Sequence, residues 1–164
     1  MRAVLVPAIL LSAAASPPDT FDRATGALND GIVAESHADR SALRAAARLL
    51  ADSGAEPVGG QDDVAVRWRR ETRDRTVPVS RDRALGPGYR LLVLDAGAVA
   101  AFEQTFLAGQ LARVAVVPAP ASIVELSVTE DGSASPVCAS RPARARCDWV
   151  PSYTQRFRIE VANR

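Results

Sequence analysis

The spacing of apolar residues changes several times along this chain. Residues 3–11 form an apolar run interrupted only by Pro7, with Met1 and Arg2 before it and the small residues Ser12 to Ala15 after it. Residues 20–33 are weakly helical in pattern: Phe21, Ala24, Leu28 and Ile32 can share a face, while Gly26 and Gly31 each cost about 1 kcal/mol in a helix interior. The next stretch is clearer. Leu43, Ala46, Ala47 and Leu50 recur at i, i+3, i+4 and i+7, which predicts a helix over residues 39–53. Ser36 followed by Asp39 resembles a capping box with Asp in place of Glu; Gly54 suits the helix end and Pro57 stops its continuation. The stripe is narrow and rich in alanine, so the helix is expected to lie against a flat surface such as a sheet face. Residues 62–70 place Val64, Val66 and Trp68 on alternate positions and read equally as a strand or a short helix.

From residue 89 onward the period becomes two. Strands are predicted over residues 89–94, 99–107, 111–117, 123–129, 136–139, 146–150 and 153–162. Val124, Leu126 and Val128 share one face, as do Phe157, Ile159 and Val161, and Glu130 to Ser133 form a hairpin turn. The fold class implied is mainly β: an antiparallel, jelly-roll-like β-sandwich with an N-terminal helical segment. The organisation read from the chain is a signal peptide over residues 1–15, a helical segment over 16–60, a charged connector over 61–88 and a sandwich over 89–164.

Composition narrows the setting. Residues 1–15 have the basic start, short apolar core and small-residue cleavage site of a secretory leader, and are too short to span a bilayer as a stable helix. With cleavage near Ala15, the expected location is the bacterial periplasm or the medium, with no transmembrane segment left. In an exported chain Cys138 and Cys147 are expected to pair. The net charge is +1 and falls to about zero once Arg2 leaves with the leader, which offers no field for nucleic acid.

Residues 102–163 carry a resemblance. Phe106, Ala108 and Gly109 lead into Ala112, Val114 and Val116; Leu126, Val128, Gly132 and Cys138 follow. Cys147, Trp149, Pro151, Thr154, Phe157, Ile159, Val161 and Asn163 close the pattern. Over residues 89–163 the chain resembles the bacterial pre-peptidase C-terminal-like domain. That resemblance implies a secreted β-sandwich module accompanying exported enzymes without being a catalyst. Two departures stand out. The acidic stretch that suits calcium in such domains is here residues 119–125 with the single carboxylate Glu125, too few for about six oxygen ligands. The usual last strand is missing after Arg164, which predicts an open C-terminal edge filled by residues 64–68, by residues 76–79, or by a partner, including a second copy of the chain.

Little in the chain points to catalysis. His37 is the lone histidine, and no Gly-x-Ser-x-Gly elbow, HExxH or phosphate-binding loop occurs. Asp62 with Asp63 and Glu130 with Asp131 read as turn or capping residues. Trp149 is expected to pack against the disulfide, and Tyr89 and Tyr153 to sit at strand ends with wet hydroxyls. The binding candidates are Trp68, Arg69, Arg70 and Arg73, at the head of a charge-dense stretch over residues 69–83, as a patch for acidic polysaccharide or lipid headgroups. The function expected is a non-catalytic exported module that needs no cofactor or metal and has a structural role or binds protein or polysaccharide in the cell envelope. The runner-up is a piece of, or a whole, secreted hydrolase of an unfamiliar kind.

Overall fold

The computed structural model of the chain describes residues 19–74, 86–120, 122–141 and 145–164. The leader, the linker at residues 16–18 and the 76–79 segment lie outside the described residues, as does most of the charge-dense stretch. The order is α1 (Thr20–Ser36), α2 (Arg40–Asp52), β1 (Glu56–Pro57), α3 (Val64–Glu71), β2 (Gly88–Tyr89), β3 (Val99–Phe106), β4 (Ala112–Ala115), β5 (Val124–Glu130), β6 (Pro136–Ser140), β7 (Arg146–Trp149) and β8 (Gln155–Asn163). Helix and strand contribute almost equally, 29% and 31% of the described residues, and the helical part has its own core.

That first core gathers around Trp68. Helix α2 buries Leu43, Ala46, Ala47 and Leu50, the four residues its period picks out. Its cap is Asp39, whose carboxylate accepts from Ser41 N at 2.9 Å and Ala42 N at 3.0 Å. Ser36 is instead the last residue of α1 and bonds back to Val33 O at 2.7 Å, so the predicted capping box does not form. Helix α2 packs on α1 and α3, not on a sheet: small side chains let helix backbones approach just as they allow contact with a sheet. Helix α1 buries Ala24, Ala27, Gly31 and Ala34, with Leu28 and Ile32 half-buried beside them. A Cβ on Gly31 would fall 2.1 Å from Trp68 Cη2, so the glycine exists to admit the indole.

The ambiguous 62–70 segment resolves as helix α3, opened by Asp63, which accepts from Val66 N at 3.2 Å. Residues 64–68 therefore fill no strand position. Tyr89 belongs to the helical core: β2 is only two residues long and pairs in parallel with β1, and residues 91–94 form no strand. The boundary between the two parts falls between Leu91, which packs on the first core, and Leu94, which packs on the second.

The second core draws on a four-stranded antiparallel sheet, β3-β8-β5-β6, and a two-stranded antiparallel ribbon, β4-β7. Alternation decides which face points inward: Val124, Leu126 and Val128 from β5 meet Phe157, Ile159 and Val161 from β8, and Cys147, Val114 and Trp149 come from the ribbon. The Cys138–Cys147 disulfide, S–S 2.00 Å and Cα–Cα 5.8 Å, staples β6 to β7. The C-terminal strand is not an edge. β8 pairs with β3 on one side, from Val99↔Ala162 to Phe106↔Gln155, and with β5 on the other. Self-association through a C-terminal edge strand is thereby ruled out, since both rows of β8 backbone groups are already paired; among the described residues the sheet's edges are β3 and β6.

Candidate functional site

The binding candidates at α3 do not converge on one surface. The i to i+4 relation of Val64 and Trp68 turns both inward, and Trp68 is fully buried, its Nε1 donating to Glu35 Oε2 at 3.3 Å. It offers no platform for sugar stacking. Arg69 Nε donates to Ala65 O at 3.2 Å, while Arg70 and Arg73 are exposed at the C-terminal end of α3, where the helix dipole favours cations. Arg73 takes a left-handed φ of 54° as the chain leaves the helix, and Asp74 beyond it meets Arg48 at 2.9 Å and Arg44 at 3.9 Å. The three arginines thus sit where α3 ends, along one edge of the helical unit.

Sequence reading missed a polar latch behind α3. Tyr89 is buried; its hydroxyl donates to Asp63 Oδ1 at 3.2 Å and accepts from Val64 N at 2.9 Å. Burial is the main reason its pKa rises to about 12, and the Asp63 charge adds to the rise while the Val64 bond opposes it. Beside it the Gln61 amide acts as a surrogate strand: its Nε2 donates to Leu91 O at 3.1 Å and its Oε1 accepts from Leu91 N at 2.8 Å. Tyr153, by contrast, is exposed as expected.

A second feature is the seam where the first turn of α1 meets the outer face of the ribbon. Phe21 lies between two guanidinium groups, 5.8 Å from that of Arg113 and 5.5 Å from that of Arg146. Asp19 pairs with Arg113, and Asp22 with Arg146 at 2.7 Å; Asp148 joins Arg146 at 2.7 Å and Arg113 at 3.9 Å. Strand pairing explains the grouping, because the register Arg113↔Asp148 and Ala115↔Arg146 places these side chains side by side. Capping of Asp22 N first, and Arg113 next, hold the Asp19 carboxyl below its usual range. Arg146 is held more firmly protonated by Asp148 and then by Asp22. A shallow, open depression beside the seam is lined by Phe21, Phe106, Leu111, Ala112 and Arg113.

A comparable depression at the α1–α2 corner holds His37, Asp30 and Asp39. Asp39 there is the cap of α2, and His37 Nδ1 lies 3.0 Å from Val33 O. Among the described residues no three His, Cys, Asp or Glu side chains are grouped to hold a metal, and no helix is long and apolar enough to cross a membrane.

At one end of the second core two turns meet. Residues 107–111 join β3 to β4 and residues 150–154 join β7 to β8. Gly109 N donates to Pro151 O at 2.9 Å, and Ala108 N to Thr154 Oγ1 at 3.0 Å. Trp149 packs beneath them against Phe106, centroids 4.8 Å apart, and Phe157, 5.3 Å apart. No protein-family model matches the chain, and neither a curated protein nor a solved structure matches it.

Proposed function

We propose that this chain is an exported, non-catalytic module of the bacterial cell envelope: a pre-peptidase C-terminal-like β-sandwich carrying a helical cap, with a structural or binding role in the periplasm or outside the cell. The supporting observation is how the charged and polar side chains are engaged. Asp19 and Asp39 cap helices, Asp19 and Asp22 pair with Arg113 and Arg146 across the seam, and beside Asp39 the Asp30 carboxylate accepts from Asn29 while His37 Nδ1 lies against Val33 O. Groups held in such caps and ion pairs serve the scaffold. Export is supported by the basic, apolar and small-residue order of residues 1–15 together with a bonded cysteine pair.

Expression with the leader in a bacterial host, followed by fractionation and mass spectrometry, tests the proposal. The expected product begins near Ser16, lies outside the cytoplasm and resists thiol alkylation. An unprocessed cytoplasmic chain with two reactive thiols would overturn export. Hydrolytic turnover abolished by His37→Ala would overturn the non-catalytic reading.

A further inference from the structure

We propose that Leu92 and Val93 are a hinge between the helical part and the β part, and that the seam of Asp19, Phe21 and Asp22 with Arg113 and Arg146 is a charge clasp that salt releases. The hinge is marked out by the bonds on either side of it. The Gln61 amide grips both backbone groups of Leu91, at 2.8 and 3.1 Å, and fixes that residue to the helical part. Asn163 Nδ2 donates to Leu94 O at 2.9 Å and fixes Leu94 to the β part. Between the two grips stand Leu92 and Val93, 43% and 98% exposed, in no helix or strand and, among the described residues, with no hydrogen-bond partner. Two such residues between two packed bodies can absorb the backbone rotation that a hinge needs.

The clasp is what holds the hinge shut. Each part has its own buried core, and no buried residue belongs to both. Among the described residues, the hydrogen bonds, ion pairs and ring contacts that join residues 19–91 to residues 94–164 come from Asp19, Phe21 and Asp22 on Arg113 and Arg146, and from Arg90 over Phe102, 5.1 Å from the ring centroid. Each of them involves an arginine. Parts joined by a small polar interface, without a large apolar one, are expected to move against each other. Both side chains of the Asp22–Arg146 pair are 40% exposed, so water and ions reach it. The range over which charges act falls from about 10 Å at 0.1 M salt to about 3 Å at 1 M, and exposed pairs weaken accordingly. The two cores are apolar, so salt should part the two bodies without unfolding either. Asp148, 2.7 Å from Arg146 and 3.9 Å from Arg113, stays beside both arginines because β4 and β7 remain paired. Opening therefore uncovers Phe21 and leaves a ribbon face on which two guanidinium groups share one carboxylate.

The test uses the full chain in sodium chloride from low concentration to about 1 M. Backbone amide relaxation reads the tumbling time of each part, and small-angle X-ray scattering reads the overall dimensions. At low salt the two parts should tumble as one body. High salt should lower the ratio of docked to open molecules about tenfold, the worth of two surface ion pairs with their ring contacts. The tumbling times should then separate and the radius of gyration grow, with the far-UV circular dichroism unchanged. Asp22→Arg and Arg146→Asp should each open the chain at low salt, and the double variant should dock again, because it rebuilds the pair with its charges exchanged. One shared tumbling time at every salt concentration, in the parent and in both single variants, would overturn the proposal. Two tumbling times in the parent at low salt would overturn it as well, since the seam would then hold nothing. Single variants that open and stay open when combined would show damage to α1 or the ribbon in place of a lost pair, and would overturn the assignment of the clasp to Asp22 and Arg146.

Discussion

Two glycines in one helix should respond to alanine with opposite signs. Gly26 and Gly31 both lie within α1, and an alanine at either gains about 1 kcal/mol of helix propensity. At Gly26 a Cβ meets nothing within 4 Å, so Gly26→Ala should stabilise by up to about that amount. At Gly31 the same atom would lie 2.1, 2.3 and 2.8 Å from three ring carbons of Trp68, against an ordinary carbon contact of about 3.5–4.0 Å. The ring must therefore retreat by about 1 Å or more. It is fully buried and tethered through Nε1 to Glu35, so it has nowhere to go without moving α1 or α2. Overpacking of this kind costs about 1–3 kcal/mol, or more where, as here, the ring cannot move, so against the propensity gain of about 1 kcal/mol the net effect of Gly31→Ala is destabilisation by up to about 2 kcal/mol or more.

Urea unfolding followed by far-UV circular dichroism and tryptophan fluorescence reads both changes. The Gly31→Ala midpoint should fall and that of Gly26→Ala should rise. The decisive comparison is Gly31→Ala in a Trp68→Leu background, where the smaller side chain relieves the clash. The Gly31→Ala penalty should shrink or reverse there, giving a coupling energy of about 1 kcal/mol or more. If Gly31→Ala is at least as stable as the parent with Trp68 fluorescence unchanged, the reasoning about close approach fails.

Three further changes have directions fixed by the structure. Tyr89→Phe removes the hydroxyl that serves Asp63 and Val64 N and should cost about 1–3 kcal/mol at neutral pH; because the folded pKa of about 12 exceeds the ordinary 10.0, the parent should hold Tyr89's contribution below pH 10 and lose it towards pH 12, a loss missing from the variant's stability-versus-pH curve. Reducing the Cys138–Cys147 bond, which spans a sequence separation of 9, should cost about 2.7 kcal/mol on the loop-entropy model; identical denaturation curves with and without reductant would contradict that. Asp39→Ala should cost about 1 kcal/mol while Ser36→Ala stays within about 0.5 kcal/mol, as measured by thermal unfolding, because Asp39 and not Ser36 caps α2.

What the sequence disclosed depended on whether a partner's position mattered. Helix α2 and strands β5 and β8 announce themselves through their own periods, and their inward residues are those the alternation picks out. Helix α3 does not, because Val64, Val66 and Trp68 satisfy both periods; only burial of Trp68 by α1 and α2 decides between them. The buried stripe of α1 was misread for the same reason, since Gly31 looks like a helix breaker until the indole it accommodates is in place. Tyr89 reads as the start of a strand in isolation, yet its hydroxyl is claimed by Asp63 and Val64, more than twenty residues earlier. The seam was equally hidden: Phe21 and Arg146 are far apart in sequence, and no local pattern couples an acidic first turn of a helix to a ribbon built from residues 112–115 and 146–149.

The seam locates the helical part more than it stabilises the whole. Its ion pairs are partly exposed, and such pairs contribute about 0–1 kcal/mol each. Two cations against one phenylalanine add a similar amount. Together they fall short of what either apolar core provides, but their geometry is specific: carboxylates at positions 19 and 22 are one turn apart on α1, and their two arginine partners stand on neighbouring strands of the ribbon. The consequence is directional. Pinning Asp19 to β4 places the start of α1 close to Leu111, beside the turns at residues 107–111 and 150–154, and leaves His37, Arg70 and Arg73 on the separate helical unit. Contacts too weak to hold the fold together are thus sufficient to set which face of the ribbon the start of α1 meets.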